Sequence, residues 1–145
     1  MTQQLDAAGA RALVGKLYSA FSVGDVPGFL ELLHDDVVWN EAEGFPLADR
    51  NPYRGKQAIV EGVFARVLAE WPDFRVEPAE IVGGPEVVIV LGRYKATKSR
   101  SGKPLDVQIA HTWWIRDGKA ARFQQMADTA AVARARASPA YSGDS

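Results

Sequence analysis

The apolar residues of the N-terminal half repeat at the spacing of an α-helix. In the first segment, five of them fall on one stripe of a 3.6-residue period: Leu13, Val14, Leu17, Tyr18 and Phe21. This pattern predicts a helix over residues 6–22. Gly24-Asp25 ends it, and Asp25 is expected to cap a second short helix that begins at Val26.

A third helix is predicted further along the chain. The same apolar stripe recurs from Ile59 to Trp71, and Pro72 prevents the helix from continuing. Between the second and third helices, the β-branched and aromatic run Val37-Val38-Trp39 predicts a short strand. The aperiodic stretch 43–53 predicts a long loop, and long loops often carry function.

The second half of the chain changes to the pattern of strands. Four strands are predicted, over residues 74–82, 87–97, 105–116 and 119–127. Asp117-Gly118, between the last two, is typical of a two-residue hairpin turn that requires positive φ at both positions. Helices followed by an antiparallel meander predict an α+β protein of two layers. The chain is interpreted as a single domain, residues 1–145, with an ordered core of about 6–130 and a tail of 131–145.

Composition and charge narrow the possible functions. The chain has 145 residues, 47 % of them apolar and 24 % charged, which is typical of a globular protein. A formal charge of -1 lacks the basic excess of proteins that bind nucleic acids or anionic membranes. The start of the chain has no secretory pattern, and no later apolar run is long enough to cross a bilayer, so a cytoplasmic location is expected.

Several kinds of site are not predicted. The absence of cysteine excludes disulfides, thiolate metal sites and Cys nucleophiles. The two histidines, His34 and His111, lie on different predicted elements, so no metal site is expected. Glycine-rich phosphate loops and serine-hydrolase elbows are also absent, and no cofactor is expected.

Four motifs in series resemble a known family. They are Tyr18-x-x-Phe21-x-x-Gly24-Asp25, Leu32-Leu33-His34-Asp35-Asp36-Val37-Val38-Trp39, Tyr53-x-Gly55-x-x-Ala58-Ile59, and His111-x-Trp113 through Asp117-Gly118-Lys119 to Asp128. In order and spacing they resemble the SnoaL-like polyketide cyclases and ketosteroid isomerase relatives of the nuclear transport factor 2-like superfamily. The resemblance implies a conical barrel, in which a strongly bent antiparallel sheet is covered by three N-terminal helices around an apolar pocket.

Glu41 is the first candidate for chemistry. It lies five residues beyond Asp36, where the steroid isomerases that this segment resembles carry the carboxylate that moves a proton between carbons. Desolvation at an apolar pocket would raise its pKa toward the range of a base that works near neutral pH. The alternative is an exposed glutamate at a strand end. The two oxyanion donors of those isomerases fall at Leu17 and Ala110, so their mechanism is not expected here.

His111 and Asp128 are the other candidate catalytic residues. His111 shares one strand face with Ile109, Trp113 and Ile115 by the two-residue period. SnoaL-like proteins have a histidine and an acid facing the ligand at the positions that His111 and Asp128 resemble. The alternatives are a hydrogen-bonded interior histidine and, for Asp128, the cap of a C-terminal helical turn.

Aromatic residues are expected to line the pocket. The predicted substrate-binding residues are Trp39, Tyr53, Trp113, Phe45, Phe123 and Tyr18, with Phe45 and Tyr53 delivered by the long loop. The alternative is a role in the core alone.

Three functional hypotheses follow from these residues. The first is acid–base chemistry without a cofactor, of isomerase, cyclase or hydrolase type, on a small hydrophobic carbonyl or polyketide-like molecule. The second is binding of such a molecule without turnover. The third is a homodimer that pairs through the exposed sheet face, which is expected to bear Thr112, Trp114 and either Phe74 or Val76.

Overall fold

The structure is a computed structural model that describes residues 4–137. Its helices are α1 (Ala7–Ser22), α2 (Val26–Glu31), α3 (Lys56–Ile59), α4 (Ala65–Glu70) and α5 (Thr129–Arg136). Its strands are β1 (Leu33–Asn40), β2 (Tyr53–Arg54), β3 (Arg75–Gly83), β4 (Val87–Ala96), β5 (Leu105–Arg116) and β6 (Lys119–Ala127). A π-helical segment, Val60–Phe64, joins α3 to α4, and the long loop contains a 3-10 helix, Pro46–Arg50.

The first two helices begin at aspartate caps. Asp6 accepts a hydrogen bond from the Gly9 backbone N–H at 2.7 Å, and Asp25 accepts one from Gly28 N–H at 2.9 Å. Each carboxylate satisfies a donor that the first helical turn leaves without a partner. The predicted helix over 6–22 and the predicted cap at Asp25 are therefore confirmed.

The six strands form one curved sheet in the order β2-β1-β6-β5-β4-β3. The predicted meander is present, and the bounds of β5 and β6 agree with those expected from the sequence. The hairpin turn between them has positive φ at Asp117 and Gly118, as a type I′ turn requires. β1 differs from the prediction of an antiparallel sheet, because it pairs with β6 in parallel.

The core lies between the concave face of the sheet and the helices. α1 packs against β3 and β4, and α2 packs against β1. On β5, side chains alternate strictly between buried and accessible, so that Ile109, His111 and Trp113 all face the helices. The sheet and helices thus form an α+β cone whose sheet does not close, which confirms the predicted fold class. In residues 4–137, no helix is both long and apolar enough to span a bilayer.

The C-terminal segment is more regular than the sequence suggested. Asp128 caps α5 by accepting a hydrogen bond from Ala131 N–H at 3.0 Å. The rest of the predicted tail, residues 138–145, lies outside the described residues.

We expect Gly92→Ala to lower the free energy of unfolding by about 1–3 kcal/mol, the usual cost of overpacking. A Cβ at Gly92 would lie 2.2 Å from the Glu77 carbonyl oxygen in the neighbouring strand. Gly15→Ala in α1 is the matched control, because its Cβ would meet no atom closer than 3.9 Å. That change should raise stability by about 0.5–1 kcal/mol through helix propensity. Urea unfolding of both variants measures the difference, and equal effects would contradict the packing described here.

Candidate active site

An aromatic cavity lies between the sheet and the helices. Its walls carry ten aromatic side chains: Tyr18, Phe21, Phe29, Trp39, Phe45, Phe64, Phe74, Tyr94, Trp113 and Phe123. Three valines complete the apolar lining, and the polar groups that reach it besides the two tyrosines and two tryptophans are Glu41, His111 and Gln125. The cavity volume is about 50 Å³, below the range of about 300–1,000 Å³ of pockets that hold drug-sized ligands. In this conformation the cavity admits only a small molecule.

One wall of the cavity is shared with a second, neighbouring pocket, which Gly24, Val26 and Leu68 also line. The rings of Phe21, Phe29, Phe64 and Phe74 line both spaces. Neighbouring rings in this wall are in contact, with centroids 5.2 Å apart for Phe29 and Phe64 and 5.6 Å apart for Phe21 and Phe64. We refer to these four residues as the phenylalanine wall.

A chain of hydrogen bonds passes through His111. Its Nδ1 lies 2.6 Å from the Tyr18 hydroxyl, and its Nε2 lies 2.6 Å from the Tyr94 hydroxyl. The Trp113 indole N–H donates to the Tyr18 hydroxyl at 2.9 Å. At the other end, the Gln125 amide N–H donates to the Tyr94 hydroxyl at 2.8 Å. Residues from α1, β4, β5 and β6 are therefore joined in one buried polar network.

Burial controls the charge of this network. Desolvation lowers the pKa of His111 to about 3, so the imidazole is neutral around pH 7. Desolvation also raises the pKa of both Tyr18 and Tyr94 above the ordinary value, so both phenols keep their protons. The network thus consists of neutral donors and acceptors.

Glu41 follows β1 and is buried against the same cavity. Its Oε2 accepts a hydrogen bond from the Trp39 indole N–H at 2.9 Å, and Oε1 accepts none from the described residues. Desolvation raises the pKa of Glu41 to about 7, and the hydrogen bond from Trp39 and the positive charge of Arg66 oppose this rise. Near neutral pH the carboxyl group can therefore either give or accept a proton.

Asn51 of the long loop holds the backbone of Glu41. Its side-chain Oδ1 accepts from Glu41 N–H at 2.9 Å, and its Nδ2 donates to the Glu41 carbonyl oxygen at 2.8 Å. This paired contact fixes the strand end from which the carboxylate enters the cavity. The loop is attached to the helical layer in turn, because Arg66 and Asp49 form an ion pair at 2.9 Å.

The structure brings most of the predicted pocket residues together. Trp39, Trp113, Phe45, Phe123 and Tyr18 line the cavity with Glu41 and His111.

Tyr53 and Asp128 lie elsewhere, whereas Phe74 and Val76, expected on the exposed sheet face, line the cavity instead. The Tyr53 hydroxyl donates to the Leu47 carbonyl oxygen, and its ring packs on Gly62, outside the cavity lining. Asp128 lines a depression on the outer sheet face beside Met126. This is the side that strict alternation gives it, and its carboxylate caps α5.

Three polar residues of the site were not predicted from the sequence. Tyr94 and Gln125 both lie on inward positions of their strands, and Gln125 is the cross-strand partner of His111. Strand alternation alone was a sufficient signal for both. The sequence did not indicate a role for Asn51, because this residue lies in a loop without a periodic pattern. Within residues 4–137 no three His, Asp or Glu side chains come close enough together to hold a metal ion.

Comparison with known proteins identifies a family for the chain. The SnoaL-like domain model matches residues 14–123. No curated protein matches the sequence. An NTF2-like protein from Burkholderia thailandensis E264 is 32 % identical, with 87 % of this chain and 95 % of that one covered at a TM-score of 0.81.

Two further solved structures are similar. TerC, co-crystallised with polyporic acid, is 28 % identical over 88 % of this chain and 97 % of its own, with a TM-score of 0.78. An uncharacterised cystatin-fold protein from Novosphingobium aromaticivorans is 16 % identical over 81 % of this chain and 97 % of its own, at 0.66. The last of these similarities concerns the fold alone.

We expect Glu41→Gln to stabilise the protein at alkaline pH and to have little effect at acid pH. The folded-state pKa of about 7 lies above the ordinary value of 4.5. Between these two pH values the Glu41 carboxyl therefore binds a proton in the folded protein but loses it in the unfolded chain. The wild type therefore loses stability as pH rises from 4.5 through 7. By pH 8 the loss is about 3 kcal/mol, and Gln avoids it because it stays neutral.

Chemical denaturation at several pH values between 4.5 and 8.5 measures this effect. Glu43→Gln is the matched control, because Glu43 is exposed two residues further along the chain. A parallel pH dependence for the wild type and Glu41→Gln would show that the Glu41 carboxyl is not desolvated.

Proposed function

The chain belongs to the SnoaL-like domain family of the nuclear transport factor 2-like superfamily, and on this premise we propose that its cavity binds a small, mostly apolar organic molecule on which Glu41 carries out proton transfer. The observation that carries the proposal is a carboxyl group that is buried in an aromatic cavity, has one hydrogen-bonded oxygen and has a pKa of about 7. The relative TerC, crystallised with polyporic acid, supports a small organic ligand.

The chemistry proposed for this site is general acid–base catalysis without a cofactor, of isomerase, cyclase or hydrolase type. A base at this position takes a proton from carbon or oxygen and returns it at another position of the ligand. The aromatic walls supply apolar contact area and exclude water, which strengthens electrostatic interactions inside the cavity. Neutral His111 organises the two tyrosines rather than taking up a proton itself. Asp128 has no part in the proposal, because it points away from the cavity.

The proposal predicts hydrogen–deuterium exchange at a carbon next to a carbonyl group. Cyclopentanone in D₂O serves as the probe, because it is compact and exchanges its α-protons slowly without a catalyst. The wild type should accelerate deuterium incorporation, measured by proton NMR. Glu41→Gln should lower the catalysed rate by at least about 100-fold, the usual contribution of a general base.

Glu43→Gln is the control and should keep the wild-type rate. If cyclopentanone binds to the wild type but its exchange is not accelerated, the acid–base role is wrong and binding without turnover is the function. If the probe does not bind, the binding function itself is contradicted.

We also propose that the protein forms a homodimer through the exposed face of the sheet. Apolar side chains gather there at 38–56 % exposure: Val82, Val87, Ile89, Leu91 and Met126. The strand register places Leu91 opposite Ala110 and Ala110 opposite Met126, so these residues form a continuous patch. A patch of this kind suits a twofold interface, in which the same surface of each copy meets the other.

Leu91→Glu should convert the dimer to a monomer, because it places a charge at the centre of the apolar face. Val23→Glu is the matched control, since Val23 is 78 % exposed beyond the end of α1 and away from the sheet. Sedimentation velocity across a concentration series measures the oligomeric state. A monomeric wild type, or a dimer that survives Leu91→Glu, would contradict this interface.

A further inference from the structure

A second concave site lies outside the aromatic cavity, where distant segments of the chain meet. Its walls come from the long loop, from α4 and the residue that follows it, from the connection between β4 and β5, and from α5. Its volume is about 240 Å³, against about 50 Å³ for the aromatic cavity. We refer to it as the arginine cleft, because Arg66, Arg100 and Arg136 all line it.

Hydrogen bonds between backbone and side-chain groups hold the walls of the arginine cleft together. The Arg100 backbone N–H donates to the Glu70 carbonyl oxygen at 3.2 Å, which joins the β4–β5 connection to the end of α4. In the same connection, the Ser101 hydroxyl donates to the Ala135 carbonyl oxygen of α5 at 2.6 Å. The fold therefore fixes the positions of the segments that carry the charged groups of the cleft.

The arginine cleft has one positive charge that the protein does not neutralise. Arg66 forms an ion pair with Asp49 at 2.9 Å, and Arg136 Nε lies 3.5 Å from the Glu70 carboxylate. The Arg100 guanidinium has no hydrogen-bond or ion-pair partner among residues 4–137. Three guanidinium groups and two carboxylates leave a net charge of +1 at the cleft. This charge matches a singly charged anion, and the guanidinium fork fits the two oxygens of a carboxylate.

Trp71 adds a hydrogen-bond donor that has no partner. Its side chain is 1 % exposed, and it lines the arginine cleft but not the aromatic cavity. In the described residues, the Trp71 indole Nε1 is a buried nitrogen without a hydrogen bond. Such donors are rare in folded proteins, because removing an N–H from water without a new acceptor is costly. An acceptor that enters the cleft is a candidate for the missing partner.

We propose that the arginine cleft binds a small organic monocarboxylate, whose carboxylate forms an ion pair with Arg100 and accepts a hydrogen bond from the Trp71 indole N–H. The carbon part of the ligand would contact the apolar side chains of the remaining wall, which are Pro46, Leu47 and Ala69. The site lies outside the aromatic cavity, so the inference is independent of the proton transfer proposed there.

A matched pair of probes tests the charge recognition. Benzoate and benzamide share the same ring and differ in the charge of the head group, and NMR titration at low ionic strength gives both affinities. The wild type should bind benzoate more tightly than benzamide. Arg100→Gln should lower the ratio of the two affinities about fivefold, the factor for an ion pair that stays accessible to water.

Lys98→Gln is the matched control for Arg100→Gln. It removes one positive charge from the same connection at an exposed residue that does not line the cleft. The affinity ratio should therefore stay at the wild-type value. An equal fall in the two variants would overturn the inference, because the benzoate would then respond to the overall charge of the protein and not to a site.

The indole ¹H–¹⁵N signals show which space the benzoate occupies. The Trp71 signal should move during the titration, because its N–H gains an acceptor. The Trp39 and Trp113 signals report on the aromatic cavity and should stay in place. Movement of these two signals without movement of the Trp71 signal would place the benzoate in the aromatic cavity and overturn the inference.

The remaining outcomes separate this inference from the proposed function. Glu41→Gln should keep the benzoate affinity, so a failure of the proposed catalysis does not affect the test. A wild type that does not bind benzoate, or that binds benzamide equally well, contradicts the carboxylate site even if Glu41 catalyses exchange. Inorganic phosphate that binds through Arg100 more tightly than benzoate would show that the ligand class is wrong. The NMR spectrum of free Arg100→Gln reports whether this variant is folded.

Discussion

The arrangement of the site depends on one constraint, which is that a histidine buried among aromatic rings must find both of its hydrogen-bond partners within the protein. Water cannot supply them where the walls are Trp113, Phe123 and other rings, and an unpaired polar group there is expensive. Tyr18 and Tyr94 satisfy the two nitrogens of His111 from opposite sides. This requirement fixes the rotation of α1 relative to the sheet, because Tyr18 must reach across to β5. It also makes β4, β5 and β6 share one polar network at the centre of an apolar core.

Burial stabilises the hydrogen-bonded network of neutral His111, but it destabilises the charged form of Glu41. Its desolvated carboxyl group costs stability when it ionises, and the Trp39 hydrogen bond and the positive charge of Arg66 offset part of that cost. Groups with raised pKa values that lie in cavities are common at functional sites, since catalysis needs a proton that moves near the working pH. The Glu41 carboxyl is costly to the fold and suited to proton transfer for the same reason.

The sequence predicted the orientation of a side chain correctly where the two-residue alternation of a single strand determines it. The two-residue alternation of β5 placed His111 and Trp113 on the inner face, and the same rule gave Asp128 the outer side. The parallel pairing of β1 with β6 was not predictable in this way, because it joins segments about eighty residues apart and depends on the path of the chain.

The hydrogen-bond network around His111 was not predictable from the sequence for a related reason. The alternation of β4 gives Tyr94 an inward position, but only the packing of α1 on the sheet shows that two phenols meet one imidazole. Asn51 lies in a loop without a period, where a sequence pattern carries no information on contacts.

The phenylalanine wall has a consequence for kinetics. Because Phe21, Phe29, Phe64 and Phe74 line both the cavity and the neighbouring pocket, a molecule that passes from one to the other must displace their rings. Association is then slower than the rate at which the molecule meets the surface, and departure is slowed by the same barrier. Because the wall slows binding and release alike, a change in the wall alters the residence time of the bound molecule without altering its affinity. A smaller side chain in the wall would speed both association and dissociation of the molecule and would leave the polar groups of the cavity in place.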